Sequence, residues 1–350
     1  MAHQLSIEDA MARANSISRS GLGRTWPNPI VGAVILSTTG EFISEGFHQR
    51  GSNGAAGDHA EVVAIKGAGA SARGATLVVT LEPCNHHGKT PPCTEAIIEA
   101  GISKVIYAVS DPNAEAQGGH ERLAKAGIDV LKFDDASDVE ATNRAWLFRI
   151  RNNRPYITAK IAATLDGFIA ASDGTSKWIT SPEARHDVAL LRNESDAIVT
   201  GTGTVIADNP RLTVRGLDPK STNQPVRYVV GSRAIDQGAA IRDTSAETHF
   251  VEDIAQLMES LAARRFNRVL IEAGPRLTSS LISAGLVDEL YIYQAPTLLG
   301  QGRSMVESLG ISTLSERLDL NLHCTRIIEG DTRTVKSHLT FNAPLTLEVC

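Results

Sequence analysis

His59-Ala60-Glu61, then Pro83-Cys84 and, after the eight residues Asn85 to Pro92, Cys93, form the set from which this chain is best read. One imidazole and two thiolates fill three corners of a zinc tetrahedron and leave the fourth open for water, whereas a purely structural site needs a fourth protein ligand. Zinc in such a site lowers the pKa of its water towards neutrality, and a neighbouring carboxylate takes the proton. The expected ligands are therefore His59, Cys84 and Cys93, holding one zinc per chain, and the expected proton-transfer group is Glu61. Taken singly, each of these is more often a buried histidine, an inert thiol or a surface charge. The combination points to chemistry.

Local geometry supports the grouping. Positions two apart on a helix lie about 200° apart around the axis, so His59 and Glu61 cannot share a face. With Asp58 as cap of a helix from His59 to Ala68, both sit in the first turn and reach a metal beyond the helix end. Pro91 and Pro92 predict a second helix start at Cys93, where the N-terminus favours a thiolate. Cys84 follows the apolar strand Leu77 to Leu81. H-x-E followed by P-C is the pattern of zinc deaminases, in which the carboxylate passes a proton to a leaving amine. Their P-C-x-x-C has two residues between the cysteines, where this chain has the eight from Asn85 to Pro92.

With 350 residues and 42% hydrophobic content, two domains are expected. Two of the four cysteines are assigned to metal, leaving Cys324 and Cys350, too few and too scattered for a secreted disulfide framework. A reducing compartment follows as the expectation. There is no run of 18 apolar residues, and Glu8 and Asp9 stand where a signal peptide is basic and then apolar, so a cytoplasmic protein with no membrane partner is expected. A net charge of −6 argues against nucleic acid and for a small-molecule substrate.

Along the chain, Ser6 to Ser20 reads as an amphipathic helix with Ser6 and Asp9 as a capping box and Gly21 as its stop. Trp26-Pro27-Asn28-Pro29 reads as an extended stretch entering a hairpin of strands 30–36 and 41–46. Asn28 stays open between a turn residue and an amide that reads a pyrimidine edge. Strands 76–82, 104–110 and 128–133 alternate with helices 92–100, 119–126 and 137–150, which predicts an α/β fold with a mostly parallel sheet. The polar run Arg151 to Pro155 marks a boundary, giving domains 1–150 and 151–350. Beyond it, Ser181-Pro182-Glu183 caps a helix to Asn193, and Gly201-Thr202-Gly203-Thr204 fails as a dinucleotide fingerprint because Ile206 stands where glycine is needed. Val269 to Pro275 reads as strand, tight turn and helix start, either an ordinary connection or a place where backbone amides hold a phosphate.

Taken together, Asn28-Pro29 to Gly32, His59-Ala60-Glu61, the run Thr80-Leu81-Glu82-Pro83-Cys84-Asn85-His86-His87-Gly88-Lys89-Thr90-Pro91-Pro92-Cys93 and Asp111-Pro112-Asn113 resemble the pyrimidine deaminase of bacterial riboflavin biosynthesis. The second half resembles the partner reductase of the same bifunctional family, through Lys160, Leu165-Asp166-Gly167, Ser176 to Ile179, Asp208-Asn209-Pro210, Leu212 to Arg215, Glu272-Ala273-Gly274-Pro275 and Gly285 to Leu290. The resemblance implies a cytidine-deaminase-like first domain and a dihydrofolate-reductase-like second one. It implies deamination of a diaminopyrimidinone carrying a ribosylamino 5′-phosphate, followed by NADPH-dependent reduction of ribosyl to ribityl.

Carried over by position, it implies cofactor contacts at Ala162, Trp178, Thr204, Asp208 and Ser232 and along Gly274, Pro275, Arg276, Leu277, Thr278, Ser279 and Ser280. Substrate contacts fall at Ser176, Arg192, Leu212, Arg215 and Glu272, the two arginines offering forks suited to phosphate. Lys160 and Asp166 are candidates for a polar pair assisting hydride transfer. Departures from the pattern are Asp58 for a proline, Thr164 for a serine and His120 in place of a glycine-rich turn. A homo-oligomer, dimer or tetramer, is the expected assembly. Two other readings stand beside this one: a deaminase whose second domain is non-catalytic, and a zinc-stapled binding module in which Glu61 is a solvated charge.

Overall fold

The computed structural model describes residues 4–49, 57–86, 91–113, 117–218 and 222–337, which fall into two compact units, Met1–Arg151 and Asn152–Cys350.

In the first unit, α1 (Ile7–Ser18) starts at Ser6, whose hydroxyl accepts the Asp9 N–H at 3.0 Å. Its buried Ala10, Met11 and Ala14 face the hairpin β1 (Gly32–Leu36) and β2 (Phe42–Phe47). A Cβ on Gly32 would stand 1.9 Å from the Ala14 carbonyl, so only glycine lets α1 lie this close to β1. There follow α2 (Ala60–Ala68), β3 (Thr76–Leu81), α3 (Cys93–Ala100), β4 (Lys104–Val109), α4 (Gly119–Lys125), β5 (Asp129–Lys132), α5 (Ser137–Thr142) and α6 (Arg144–Asn152). The sheet runs β2-β1-β3-β4-β5. β1 and β3 are enclosed almost throughout, so each Val, Ile or Leu there contributes about 1.5–3 kcal/mol of burial.

The mostly parallel sheet is as expected: β3, β4 and β5 pair in parallel, and β1, in the hairpin with β2, is antiparallel to both its neighbours. Three expectations need correction here. His59, not Asp58, is the N-cap of α2; Asp58 instead pairs with Lys66 at 2.5 Å. Trp26 to Pro29 is a turn, closed by the Asn28 N–H on the Thr25 carbonyl at 2.9 Å, because two distant side chains hold it folded. Arg149 donates to the Pro27 carbonyl at 2.7 Å, and Asn143 bonds both backbone groups of Ile30, at 3.2 and 2.6 Å. The helix expected over 137–150 is two helices that meet at this same Asn143.

The second unit contains β6 (Tyr156–Thr164), β7 (Phe168–Ala170), α7 (Pro182–Asn193), β8 (Ala197–Gly201), α8 (Thr202–Asp208), β9 (Val226–Val230), β10 (Thr248–Val251), α9 (Ile254–Ala263), β11 (Arg268–Ile271), α10 (Pro275–Ser283), β12 (Glu289–Ala295), β13 (Arg303–Ser304), β14 (Asn321–Ile328) and β15 (Asp331–Ser337). Its main sheet runs β10-β9-β8-β11-β6-β12-β15-β14, parallel from β10 to β12 and antiparallel beyond. α7 begins as expected, with Ser181 accepting the Ala184 N–H at 3.1 Å. It is fastened to the sheet by Asp187, which takes the Tyr293 hydroxyl at 2.5 Å and Arg333 at 2.8 and 3.0 Å. In such parallel sheets ligands bind beyond the carboxyl ends of the strands, and α8 and α10 both start there.

Candidate functional site

In the first unit β3 ends at Leu81 and delivers Glu82, Pro83 and Cys84 to the sheet edge. The buried Glu82 carboxylate accepts the His120 N–H at 3.0 Å and the Asp111 N–H at 3.4 Å, fixing this exit against the segments that follow β4. Gly119 lies against the exit: a Cβ there would stand 1.9 Å from the Pro83 carbonyl. His59 as N-cap of α2 and Cys93 as first residue of α3 approach from the other side.

His59 Nδ1 is 3.1 Å from Cys93 Sγ and 3.6 Å from Cys84 Sγ, the Cys93 N–H donates to Cys84 Sγ at 3.4 Å, and the three ligand atoms lie within 4.8 Å of one another. These donors and this spacing fit zinc with an open position. The bond to Cys84 raises His59 to about 9, and the bond from Cys93, with help from His59, lowers Cys84 to about 4 while Cys93 is pushed up.

Glu61, in the first turn of α2, is enclosed, and burial raises its carboxyl above the ordinary range. A carboxyl so placed beside Cys93 can take and return a proton nearer neutrality. His48, which the sequence reading missed, sits edge-on to His59 with ring centres 5.0 Å apart. Burial, then the charge of His59, lowers it to about 4, so its imidazole is neutral. Its Nε2 is 3.1 Å from the Asn28 amide, which brings Asn28 to the site. Nothing marks a lone histidine after a strand in sequence alone. Asp111, raised to about 6 by burial, accepts the Asn113 N–H at 2.8 Å. His87 to Thr90 and Cys350 lie outside the described residues.

The second unit holds a cavity of about 930 Å³. Ala162, Trp178, Thr204, Asp208, Gly274 and Pro275 of the expected cofactor set line it, as do Ser176, Arg192, Leu212, Arg215 and Glu272 of the expected substrate set, together with Lys160. The Thr204 hydroxyl accepts the Gly274 N–H at 3.1 Å, joining the starts of α8 and α10 on one wall. Arg185 lies over the exposed Trp178 ring, 4.4 Å from its centre. The space, the glycine-edged wall and the exposed indole fit a nicotinamide nucleotide.

Other expected residues stand apart from the lining. Ser232 lies in the bend after β9, and Arg276, Leu277, Thr278, Ser279 and Ser280 continue into α10. The Ser280 hydroxyl bonds Arg276 O at 2.9 Å, and the Ser279 hydroxyl accepts the Glu307 N–H at 2.9 Å. Lys160 and Asp166 have different partners. Lys160 is 3.5 Å from Glu272, while Asp166 accepts the Gly300 N–H at 2.7 Å and the Thr164 hydroxyl at 2.6 Å, anchoring the loop after β12.

Glu272 is the electrostatic centre of the cavity. Burial alone would raise its carboxyl, but Arg192 and then Lys160 outweigh that and hold it at about 2. The fork of Arg192 is thus taken up by a carboxylate within the protein, contrary to its reading as a phosphate fork.

A family model described as "Cytidine and deoxycytidylate deaminase zinc-binding region" matches residues 5–109, and one described as "RibD C-terminal domain" matches residues 155–336. The riboflavin biosynthesis protein RibD of Mycobacterium tuberculosis is 43% identical over 317 residues, covering 89% of this chain and 92% of that protein. The protein of the same name from Escherichia coli is 41% identical over 343 residues, covering 87% and 92%. Among solved structures, Acinetobacter baumannii RibD superposes with a TM-score of 0.86 at 35% identity over 95% of this chain and 98% of that one. A diaminohydroxyphosphoribosylaminopyrimidine deaminase/5-amino-6-(5-phosphoribosylamino)uracil reductase from Thermotoga maritima gives 0.86 at 32% identity, over 95% and 98%.

Proposed function

From the premise that this chain belongs to the bifunctional riboflavin biosynthesis deaminase/reductase family, we infer how its two halves divide the chemistry. The enzyme hydrolytically deaminates 2,5-diamino-6-(5-phosphoribosylamino)pyrimidin-4-one in a zinc-dependent step, then reduces the ribosyl side chain to ribityl with NADPH. Residues 1–150 are the deaminase domain in this reading and 151–350 the reductase. The observation that carries the division is the enclosed Glu61 carboxyl beside the His59, Cys84 and Cys93 corner in one unit, with the cavity around Glu272 in the other.

His59, Cys84 and Cys93 would hold zinc, which would supply Lewis-acid activation of water, and Ala162, Trp178, Thr204, Asp208 and Gly274 would hold NADPH, which would supply hydride. Glu61 takes a proton at its carboxylate and returns it to the leaving amine. His48, neutral and fixed by Asn28, and the Asn28 amide present a donor and acceptor edge to the pyrimidine. In the second cavity, Lys160 and Glu272 are the polar groups set against the sugar, while Arg215, exposed at the cavity wall, meets its phosphate. Arg192 acts through Glu272 by keeping it ionised.

A coupled assay on the phosphorylated diaminopyrimidinone, following ammonia release and NADPH oxidation in the same sample, tests the division. Ammonia without NADPH oxidation returns the second domain to a non-catalytic role. No helix among the described residues is long and apolar enough to cross a membrane. A homo-oligomer in the cytoplasm is our reading of assembly and place, and sedimentation of the purified chain checks the first.

A further inference from the structure

The cavity wall from Pro210 to Arg215 belongs to no helix or strand, so its backbone groups have no ladder to bond to. Side chains from elsewhere supply the partners. Arg227 on β9, completely enclosed, donates to the Arg211 carbonyl at 2.9 Å and holds the Asp243 carboxylate at 2.9 Å and the Ala246 carbonyl at 2.6 Å with the same guanidinium. Arg192 donates to the Thr213 carbonyl at 3.1 Å. Gln224 makes a two-way pair with the buried Val214, accepting its N–H at 2.9 Å and donating to its carbonyl at 3.1 Å. Just before the wall, the Asn209 side chain accepts the Ala240 N–H at 2.8 Å.

Between these anchors Leu212 is held at φ 53°, a conformation that L side chains rarely adopt, with its side chain packed among Ile198, Val229, Ile241 and Leu270. Such a backbone persists only where its surroundings over-determine it, and it concentrates at binding sites. Gln224 and Arg227 are absent from the cavity lining. Both ends of the Gln224 amide are directed at the wall's backbone, and Arg227 reaches it through one bond while its others go to Asp243 and Ala246.

We propose that Gln224 and Arg227 are positioning residues of the reductase, which set its affinity for the phosphorylated end of the substrate by holding Leu212 to Arg215 in the binding conformation. This rests on the reading of Leu212 and Arg215 as substrate contacts. A wall ordered before binding loses no chain entropy when the ligand arrives, so its release appears in ligand affinity. Gln224 is the residue to test, because both its bonds go to a single wall residue. Removing them leaves the buried N–H and carbonyl of Val214 unpaired, which favours a rearranged wall.

The experiment is calorimetric titration of the full-length chain with the phosphorylated ribitylamino product, and separately with NADPH. Gln224→Met, similar in size but without the amide, is expected to weaken product binding about tenfold and leave the NADPH Kd and deaminase turnover within about twofold. Gln224→Glu keeps an acceptor for the Val214 N–H but sets a charged oxygen against the Val214 carbonyl, so it is expected to weaken product binding at least as much as Gln224→Met; it decides the matter where Gln224→Met does not fold. A merely structural role lowers the melting temperature and the binding-competent fraction while the product Kd stays at the parent value, and that result overturns the proposal. Arg215→Met separates premise from inference. If it leaves the product Kd unchanged, the placement of the phosphate fails and this inference with it; if it weakens binding while both Gln224 variants bind as the parent does, only the inference fails.

Discussion

Arg192 meets Glu272 edge to edge, Nε to Oε1 at 2.5 Å and Nη2 to Oε2 at 2.9 Å, and this contact fixes the charge of the reductase cavity. Two parallel charge-assisted bonds are the strongest arrangement a guanidinium makes with a carboxylate. They also tie the stability of this part of the fold to the ionised state of Glu272.

The Glu272 carboxyl protonates near 2 in the folded chain, against 4.5 for the free side chain. Unfolded protein therefore takes up this proton first as pH falls, so the stabilisation is complete above 4.5 and is lost on the way down to about 2. The difference corresponds to on the order of 3 kcal/mol. Thermal melts of the parent and Glu272→Gln are expected to converge as pH is lowered from about 6 to about 3, the parent losing stability more steeply. Parallel curves would show that Arg192 and Lys160 do not hold this carboxylate.

Glu61→Gln is expected to slow deamination by roughly 10² to 10⁴ while leaving reduction of pre-deaminated substrate nearly intact. Glutamine keeps the size and hydrogen-bonding reach of glutamate but cannot take the proton. Bound zinc stays near one per chain, since Glu61 is outside the ligand set. Deamination within about threefold of the parent would remove Glu61 as proton carrier.

Cys84→Ser and Cys93→Ser are each expected to lower zinc content well below one per chain, measured by elemental analysis of purified protein. Serine hydroxyls are poor zinc donors beside thiolates and imidazole. Full occupancy in both variants would sink the assignment.

Gly119→Ala adds a methyl 1.9 Å from the Pro83 carbonyl, where no side chain can yield. The chain must shift at the exit of β3, with a stability loss of about 1–3 kcal/mol or more. Because Cys84 is the next residue, zinc is expected to leave Gly119→Ala faster in a chelator competition. An unchanged release rate would show that this close approach does not position Cys84.

Local signals were legible where a residue's own neighbours decide its state. Ser6 and Ser181 cap the helices they were expected to cap, and Gly101 ends α3 in the left-handed conformation at φ 71°. What was not legible depends on partners far along the chain. Asn143 looked like an interior helix residue, yet it interrupts the helix to bond Ile30, and Arg149 turns Trp26 to Pro29 away from the extended form that prolines favour. Arg192 read as a phosphate fork because Glu272, its partner, is 80 residues away. Gln224 and Arg227 left no pattern: each bonds backbone atoms of another segment, and backbone carries no residue code.

Asn143 and Arg149 also impose an order in time. A chain emerging from the ribosome has already exposed His59, Cys84 and Cys93 when the two side chains that clamp Pro27 and Ile30 are still to be made. The metal corner can thus assemble on a nascent chain whose Asn28 is not yet seated. A chain stopped near residue 130 keeps Gly119 and His120 against the exit of β3 but lacks both clamps on Pro27 and Ile30, so it is expected to hold zinc better than it holds the pyrimidine.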